Sequence, residues 1–296
     1  MLPKMIVVEG TNASGKSALG VTLAKKYGGE IISADSRQVY WRLDLGSGKI
    51  MPEEMQGVPH HLLDVCSPGE FFSMADFQRL AYAAVDGILA RGNMPFLVGG
   101  TGLYVDAVAD GYELSDRAPD HALRAQLETY DTPALYDMLK EKLPETDIDP
   151  RNRHRVMRAL ERLSADDWHP SRKSPRFQLL KLGVTWPREI LKQRIDVRLD
   201  TRLEAGMVDE VRALLDEGIS EEFLVKLGLE YKYLTWYLTG KIGYEQMKEE
   251  LGNAIKKFAK RQMTWFRRDS RIRWLDMAAD PVAEACGLID RFLSEE

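Results

Sequence analysis

The sequence predicts an α/β fold in which a mostly parallel β-sheet is flanked by helices and interrupted by a helical insertion. Apolar runs alternate with helical patterns in roughly the first 112 residues, as expected when helices cover both faces of a parallel sheet. A glycine-containing loop joins the first run to the first helical pattern. Residues 113–175 are charged and lack strand patterns. We therefore predict an α/β core of residues 1–112 and 176–296, with a helical insertion domain at 113–175.

The individual elements follow from hydrophobic periodicity and from end signals. Strands are predicted at Met5–Glu9, Glu30–Ala34, Pro95–Val98 and Phe177–Thr185, with Ile272–Leu275 as a last strand. Core helices are predicted at Lys16–Tyr27, at Ser73–Arg91 and throughout most of the chain after Pro187. In the insertion, the charged segment 116–119 precedes three helices and a loop, predicted at Asp120–Tyr130, Pro133–Lys142, Arg151–Ser164 and His169–Pro175.

The bulk composition favours a cytoplasmic globular protein. No window approaches about 18 consecutive apolar residues, so we expect no membrane span, and the short apolar stretch near the N-terminus does not match a signal peptide. Cys66 and Cys286 lie far apart, which predicts neither a disulfide framework nor a zinc site. We expect a monomer, since no feature of the sequence demands more.

Basic residues are concentrated in two segments although the net charge is −5. Residues 256–273 contain eight lysines and arginines against the single acid Asp269. The second segment contains Arg151, Arg153, His154, Arg155 and Arg158. An acidic chain with such local patches can bind RNA. In the first segment we expect Trp265 and Phe266 to pack in the core and the basic side chains to contact phosphates.

The segment Gly10–Ser17 has the sequence G-T-N-A-S-G-K-S, which fits the phosphate-binding P-loop pattern G-x-x-x-x-G-K-[ST]. It follows a buried strand and opens a helix, as that motif requires. Backbone N–H groups in such a loop converge on phosphate oxygens, and the helix dipole adds to the attraction. Lys16 is expected to contact a phosphate and Ser17 to reach Mg²⁺. The sequence therefore predicts a phosphorylated small-molecule ligand.

Asp35 lies in S-A-D-S-R-Q-V-Y, Ser33 to Tyr40, where the second predicted strand ends. Ligands of open α/β sheets bind at those strand ends, so Asp35 is expected to point toward the ligand of the P-loop. Three roles remain open for it at this point. It could cap a helix that begins at Ser36, act as a general base, or bind Mg²⁺.

The third strand end lacks the carboxylate that P-loop hydrolases use to organise Mg²⁺ and water. The strand ends in Gly99-Gly100-Thr101-Gly102 instead, where glycines admit a close ligand and Thr101 offers a hydroxyl. Asp64 is a weaker candidate for the carboxylate, because the apolar run before it is short. No N-K-x-D guanine-binding motif is present. Group transfer is therefore favoured over simple hydrolysis.

Two further patterns have a structural and a functional interpretation. Arg194, Arg198 and Arg202 recur every four residues and form one helical stripe. The stripe is either a solvated face paired with neighbouring acids or a clamp on a pyrophosphate group. For the adjacent pair His60-His61 we expect structural roles, because no third metal ligand is evident.

These motifs, and the order in which they occur, resemble those of the tRNA dimethylallyltransferase family, whose members are also called isopentenylpyrophosphate–tRNA transferases. The resemblance covers most of the chain. It rests on A-S-G-K-S, S-A-D-S-R-Q-V-Y, Pro59-His60-His61-Leu62-Leu63-Asp64, G-G-T-G-L-Y (Gly99–Tyr104), D-P-R-N-R-H-R-V-M-R-A-L-E (Asp149–Glu161) and A-K-R-Q-M-T-W-F-R (Ala259–Arg267).

The resemblance implies a P-loop, nucleotide-kinase-like fold and the transfer of a dimethylallyl group from dimethylallyl diphosphate to the exocyclic amine of a flipped adenosine 3′-adjacent to the anticodon in tRNA. It also implies residue roles. Asp35 would accept the amine proton, Thr101 would assist at the diphosphate, and Arg198 would stabilise the leaving group. The diphosphate and Mg²⁺ would be held by Gly10, Asn12, Ala13, Ser14, Gly15, Lys16 and Ser17, with Ser17 on the metal. The adenosine and the anticodon stem would be contacted by Ser36, Arg37, Gln38, Arg153, Lys260, Arg261, Gln262 and Arg267, and by the insertion domain.

Several positions depart from the family pattern, and three of them concern the choice of acceptor. Asn12 replaces a usual threonine, Trp41 replaces a smaller or basic residue, and Glu230 stands where glycine is common. The alternatives are an enzyme that prenylates a free adenine nucleotide, which would need neither the insertion nor the basic C-terminal segment, and a P-loop small-molecule kinase. A non-catalytic RNA-binding protein is disfavoured by the intact Lys16, Ser17 and Asp35.

Overall fold

The computed structural model describes residues 2–115, 120–168 and 172–295. Over these residues the chain forms two compact units. One consists of Met1–Gly111 together with Pro175–Glu296, and the other of Tyr112–Ser174. Each unit has its own hydrophobic core.

The first unit is built on a parallel six-stranded sheet, which confirms the predicted fold class. Its strands are β1 (Lys4–Gly10), β2 (Gly29–Ala34), β3 (His60–His61), β4 (Met94–Gly99), β5 (Gln178–Thr185) and β6 (Arg273–Asp276). Their order across the sheet is β3-β2-β4-β1-β5-β6. β1 is therefore central, and its carboxyl end delivers the P-loop to the middle of the sheet edge where ligands of such folds bind.

Helices cover both faces of this sheet. The helices of the unit are α1 (Lys16–Lys26), α2 (Pro52–Met55), α3 (Met74–Ala90), α4 (Gly102–Ala109), α8 (Arg188–Glu204), α9 (Met207–Asp216), α10 (Glu221–Leu227), α11 (Leu229–Leu238), α12 (Tyr244–Phe266) and α13 (Pro281–Ser294). Ile6 and Val8 of β1 share a core cluster with residues of α1 and α13. Met5 and Val7, which alternate with them, share another with residues of α3 and α4.

The helices from α8 to α12 form a third cluster, which includes Val39, Tyr40 and Leu43 from the segment after β2. Glycines with positive φ stand at the start of α9 and of α11, Gly206 and Gly228, and divide the helical C-terminal region predicted from the sequence. This packing brings α8, α11 and α12 beside the loops at the carboxyl ends of β1 and β2.

The second unit contains α5 (His121–Glu128), α6 (Thr132–Lys142) and α7 (Arg153–Ser164). Side chains cap all three helices, through Asp120, Asp131 and Asn152. Its core consists of Leu127, Leu135, Leu139, Val156, Met157, Ala159 and Leu160. Segment 116–119 and the first part of the predicted loop, 169–171, lie outside the described residues.

The sequence prediction missed β3, which has only two residues and no apolar run. His60 and His61 pair with Ile31 and Ile32 of β2. The strand is therefore defined by its backbone pairing with β2 and not by a hydrophobic pattern of its own. Among the described helices, none combines the length and the apolar character needed to cross a lipid bilayer.

Candidate active site

The P-loop joins β1 to α1 and is bent by two residues in the left-handed region, Ala13 (φ 57°) and Gly15 (φ 90°). A Cβ atom at Gly15 would lie 3.2 Å from the Met277 methyl group, so glycine serves both the turn and the packing. The Ser14 hydroxyl donates to the Thr11 carbonyl at 2.7 Å, and Lys16 Nζ donates to the same oxygen at 3.3 Å. The loop is closed upon itself, with its lysine half-buried.

Side chains that are distant in the sequence hold this loop from outside. Gln262 of α12 accepts a hydrogen bond from Asn12 N–H at 2.9 Å and donates to the Gly100 carbonyl at 2.8 Å. Trp186 donates to the Ser14 carbonyl, and Arg194 donates to the Ala13 carbonyl, both at 2.9 Å. The shape of the loop therefore depends on α8 and α12 as well as on its own sequence.

Asp35 begins a turn at the carboxyl end of β2. One of its carboxylate oxygens, Oδ1, accepts a hydrogen bond from Arg37 N–H at 2.9 Å. Residues 36–39 form turns and no helix starts at Ser36, so Asp35 does not cap a helix. The Thr101 hydroxyl accepts from Ser36 N–H at 3.0 Å and donates to the Ser36 hydroxyl at 3.3 Å. This ties the end of β4 to the Asp35 turn.

A cavity of about 670 Å³, counted with its open mouth, brings half of the predicted site residues together. Its wall includes Asn12, Ala13, Lys16 and Ser17 of the P-loop, Asp35, Arg37 and Gln38 of the turn, and Arg198, Arg202, Glu230, Phe258 and Gln262 of the helices. A smaller cavity of about 330 Å³ shares Lys16, Ser17, Asp35 and Gln38 and extends to Ile50 and Gly99. Phosphate-binding, acid–base and cationic groups thus face a common space.

The arginine stripe on α8 faces inward. Arg194 bonds the P-loop, Arg198 donates to the Gly48 carbonyl at 3.2 Å, and Arg202 donates to the Leu45 carbonyl. The acids between them pair elsewhere, since Asp196 and Asp200 bind Lys256 and Lys248 of α12 at 2.6 and 2.9 Å. Of the two interpretations left open by the sequence, the solvated face paired with its own acids is wrong.

Burial changes the ionisation of the cations in this cavity. It lowers the pKa of Lys16 to about 8, with nearby Arg198 acting in the same direction and Asp35 opposing the shift. Burial also lowers the pKa of Arg198, to which the charge of Arg202 contributes. Cations that are desolvated and close together favour an anionic ligand, because the ligand restores the charge balance that burial removed.

The oxygen donors of the cavity fit Mg²⁺. Ser17 supplies a hydroxyl and Asp35 a carboxylate, and Mg²⁺ bound to a phosphorylated substrate usually takes few protein ligands. Within the described ranges no group of three His, Cys, Asp or Glu side chains could hold a metal by itself. His60 Nδ1 lies 2.8 Å from the Val58 carbonyl, and His61 Nε2 lies 2.6 Å from Glu30, in agreement with the structural roles expected for both.

The basic residues predicted to contact RNA occupy different surroundings. Lys260, Arg261 and Arg267 are exposed at the C-terminal end of α12 and beyond it, and no ion pair involves them in the part of the chain that the structure describes. Gln262 differs, being buried and bonded to the P-loop. In the second unit, Arg153 is half-buried and donates to the Glu128 carbonyl at 3.2 Å. RNA contact by these five residues stays a prediction.

The sequence did not reveal a buried ionic cluster beneath the P-loop. Glu9 of β1 is fully buried, and its Oε1 lies 3.3 Å from Nζ of the equally buried Lys181 of β5. Lys181 also lies 2.7 Å from Asp269 and 3.7 Å from Asp106, and Asp106 accepts from Trp265 of α12 at 2.8 Å. The signal available in the sequence was a charged residue within each of two apolar strand patterns, Glu9 in β1 and Lys181 in β5.

The fold and the site together define a P-loop enzyme that handles a phosphorylated small molecule. A sequence model of the IPP transferase family matches residues 38–269, and the chain belongs to that family. It is 44% identical over 295 residues to tRNA dimethylallyltransferase 2 of Shewanella sediminis, covering 96% of this chain and 97% of the relative. It is 41% identical over 293 residues to the tRNA dimethylallyltransferase of Geobacillus thermodenitrificans, covering 95% and 92%.

Solved structures agree with these sequence comparisons. The full-length tRNA isopentenylpyrophosphate transferase of Bacillus halodurans has a TM-score of 0.75 and 40% identity, with 98% of this chain and 95% of that chain covered. A eukaryotic dimethylallyltransferase acting on tRNA has a TM-score of 0.82 and 27% identity, with 99% and 80% covered. The resemblance recognised from the motifs is thereby confirmed.

Proposed function

We propose that the protein transfers a dimethylallyl group from dimethylallyl diphosphate to the exocyclic amine of the adenosine 3′-adjacent to the anticodon in tRNA, releasing diphosphate. One observation carries this proposal. Lys16 and Ser17 of the P-loop, Asp35 at a strand end and Arg198 of α8 line the same cavity. A diphosphate site, a proton acceptor and a cation for the leaving group are the three parts that this transfer needs.

The diphosphate of the donor binds at the P-loop in this scheme. The N–H groups at the start of α1, the helix dipole and Lys16 favour an anion there. Arg198 lies close enough to Lys16 to lower its pKa, so both cations can act on one diphosphate. Their attraction increases as the carbon–oxygen bond of the donor breaks and negative charge moves onto the departing diphosphate, which makes it transition-state stabilisation.

Asp35 receives the proton of the acceptor amine. The amine nitrogen forms a bond to C1 of the dimethylallyl group, the bond from C1 to the diphosphate oxygen breaks, and a proton passes from nitrogen to the Asp35 carboxylate. The hydrogen bond from Arg37 N–H fixes the orientation of this carboxylate. We assign Thr101 a positioning part, because its hydroxyl holds Ser36 beside Asp35; its contact with the diphosphate remains a prediction.

Mg²⁺ would bind the diphosphate oxygens and Ser17, with Asp35 in the same cavity wall, and would neutralise part of the donor's charge. The residues of this chain supply the remaining cations. Lys16, Arg37, Arg198 and Arg202 all line the cavity, which favours transfer of a group away from diphosphate over activation of a water molecule.

In this scheme the acceptor binds basic residues of the first unit. Lys260, Arg261 and Arg267 are exposed at and just beyond the end of α12, the helix that also supplies Gln262 to the cavity wall. We assign contact with the flipped adenosine to Ser36, Arg37 and Gln38, which follow Asp35 in the sequence. The names of the relatives, which specify tRNA, support this acceptor over a free nucleotide, and a kinase is not supported by any of them.

We propose a cytoplasmic location and a monomeric state. Both Cys66 and Cys286 are buried and free, which agrees with a reducing compartment. Exposed cations at the end of α12 suit a surface that binds RNA.

The test is a parallel assay with Mg²⁺ and dimethylallyl diphosphate, offering unmodified tRNA and AMP. Prenylated adenosine detected by mass spectrometry in tRNA alone supports the proposal, and product from AMP alone would transfer the protein to the nucleotide-prenylating class. Asp35→Asn should lower the single-turnover rate by about 10²–10⁴-fold, the usual contribution of a general base, while diphosphate binding persists. A rate within a few-fold of wild type would remove Asp35 from this role.

A further inference from the structure

Glu230 is an acid in the wall of a cavity that is otherwise rich in cations. It lies in the first turn of α11, directly after Gly228 and Leu229, and the residue is 5% exposed. Four cations line the same space, Lys16, Arg37, Arg198 and Arg202, and Asp35 is the other acid of the wall. The negative charge of Glu230 therefore affects how strongly these cations attract an anionic substrate.

The contacts of Glu230 connect two arginines from different elements. Its Oε1 accepts a hydrogen bond from Arg202 of α8 at 3.1 Å. Its Oε2 lies 3.5 Å from Nη1 of Arg37, which follows β2. Over the described residues this second oxygen is buried and accepts no hydrogen bond. Glu230 is thus the counter-ion of Arg202 and Arg37, with one oxygen only loosely engaged.

These arginines belong to the same electrostatic group as the cations at the P-loop. A Cβ atom at Gly48 would lie 2.3 Å from a guanidinium nitrogen of Arg198 and 3.6 Å from Cζ of Arg202, so both guanidinium groups meet at this one glycine. The charges of Arg202 and Glu230 both act on the pKa of Arg198, and Arg198 acts on that of Lys16. A charge at Glu230 is therefore felt at the diphosphate position.

We propose that Glu230 competes with the diphosphate group for the cations of the cavity, and so limits the affinity for the donor and speeds the release of the diphosphate product. This inference rests on the proposed function through the diphosphate ligand alone. The physical reason is that two buried anions sharing one set of cations repel each other. Arg37 and Arg202 can neutralise either the carboxylate or the incoming diphosphate, and each does so less fully when both are present.

Neutralisation of Glu230 should therefore tighten binding. The experiment is calorimetric titration of inorganic diphosphate with Mg²⁺ into the full chain, without tRNA and at fixed ionic strength. Glu230→Gln keeps the shape of the side chain and its hydrogen bond to Arg202, and we expect it to bind diphosphate about tenfold more tightly, which corresponds to about 1.4 kcal/mol. An unchanged or weaker affinity overturns the inference, because a carboxylate that only holds the arginines in place would help the diphosphate to bind.

The matched control is Glu217→Gln. Glu217 forms an ion pair with Arg42 outside the cavity, and both side chains are exposed. Glu217→Gln therefore removes the same charge from the same residue type at a site away from the ligand. Its affinity should equal that of wild type, and a gain equal to that of Glu230→Gln would overturn the inference as a general effect of net charge. Glu230→Ala, which suits a helix, is the second variant if the glutamine variant does not fold. It should also bind more tightly, and failure to do so counts equally against the inference.

A kinetic measurement separates release from binding. If Glu230 speeds product release, Glu230→Gln should show stronger inhibition by added diphosphate and a lower steady-state rate. Weaker inhibition by diphosphate would contradict the proposal. Because the titration uses neither tRNA nor the prenyl donor, its failure would leave the tRNA assay untouched, and failure of that assay would leave the titration result standing.

Discussion

Replacement of Gln262 by methionine removes two hydrogen bonds that join α12 to the P-loop. In the wild-type protein the side-chain amide accepts from Asn12 N–H at 2.9 Å and donates to the Gly100 carbonyl at 2.8 Å. The residue is 8% exposed. Methionine has a similar length and shape but cannot replace either bond, so the substitution isolates the polar contribution of this position.

The expected loss follows from what remains unpaired. A buried polar group left without a partner costs about 1–3 kcal/mol, and here two backbone groups, Asn12 N–H and Gly100 C=O, lose theirs. Part of the cost is regained by the apolar methionine side chain. We expect Gln262→Met to lower the free energy of unfolding by about 2–4 kcal/mol and to weaken diphosphate binding, since Asn12 belongs to the phosphate-binding loop.

Urea unfolding followed by tryptophan fluorescence gives the first quantity, and calorimetric titration of diphosphate gives the second. Gln246→Met is the matched control, because Gln246 lies on the same helix, is exposed, and bonds only to Glu250 in the described structure. The control should change stability by less than about 0.5 kcal/mol. An equally small loss for Gln262→Met would refute the claim that this side chain holds the P-loop.

Three further predictions concern charge. Diphosphate affinity should be greatest below about pH 8 and fall above it, because burial lowers the pKa of Lys16 to about 8 and the bound anion favours the charged form of that lysine. A titration series showing constant affinity between about pH 7 and 9 would contradict this. Burial raises the pKa of Glu9 from 4.5 to about 7, so the stability of the wild-type protein falls as the pH rises through this window. Glu9→Gln should therefore increase the free energy of unfolding by about 1–3 kcal/mol above pH 7 and leave it unchanged below pH 4.5. Urea unfolding at each pH tests this, and an equal effect at both ends would be inconsistent with the buried charge. The double variant Lys260→Gln, Arg261→Gln should weaken tRNA binding and reduce the slope of log affinity against log salt by about 1.5. Lys241→Gln, which breaks the exposed ion pair between the loop residue Lys241 and Glu221 of α10, should leave the slope unchanged.

The sheet and the P-loop could be predicted because their information is local. β1, β2, β4 and β5 are short, mostly apolar segments bounded by turn signals, and each observed end lies within one residue of the predicted end. The P-loop pattern is contiguous and its position between strand and helix can be checked in the sequence itself. β6 also lies within one residue of its predicted position, although its pairing with β5 could be seen only in the structure.

The helical side of the cavity could not be predicted, because its partners are distant in sequence. Spacing alone placed Arg198 and Arg202 on one stripe. Whether that stripe meets solvent depends on the partners of Asp196 and Asp200, which are Lys256 and Lys248 of the distant helix α12. The same applies to Gln262, which a motif placed among the RNA contacts and the structure places against the P-loop. For Glu230 the sequence offered only a departure from the family pattern, with no hint of the two arginines it binds.

The missing strand-end carboxylate at β4 is explained by space as well as by chemistry. A Cβ atom at Gly99 would lie 2.1 Å from the Ala34 carbonyl oxygen, and one at Gly100 would lie 2.9 Å from the Gln262 amide nitrogen and 3.2 Å from Lys16 Nζ. Any side chain at either position would collide with β2 or displace the glutamine that holds the P-loop. The neutral amide of Gln262 lies against this strand end, donating to the Gly100 carbonyl, and no carboxylate follows the strand there. The cavity keeps its excess of positive charge as a result, and that charge is suited to a departing diphosphate and not to the activation of water.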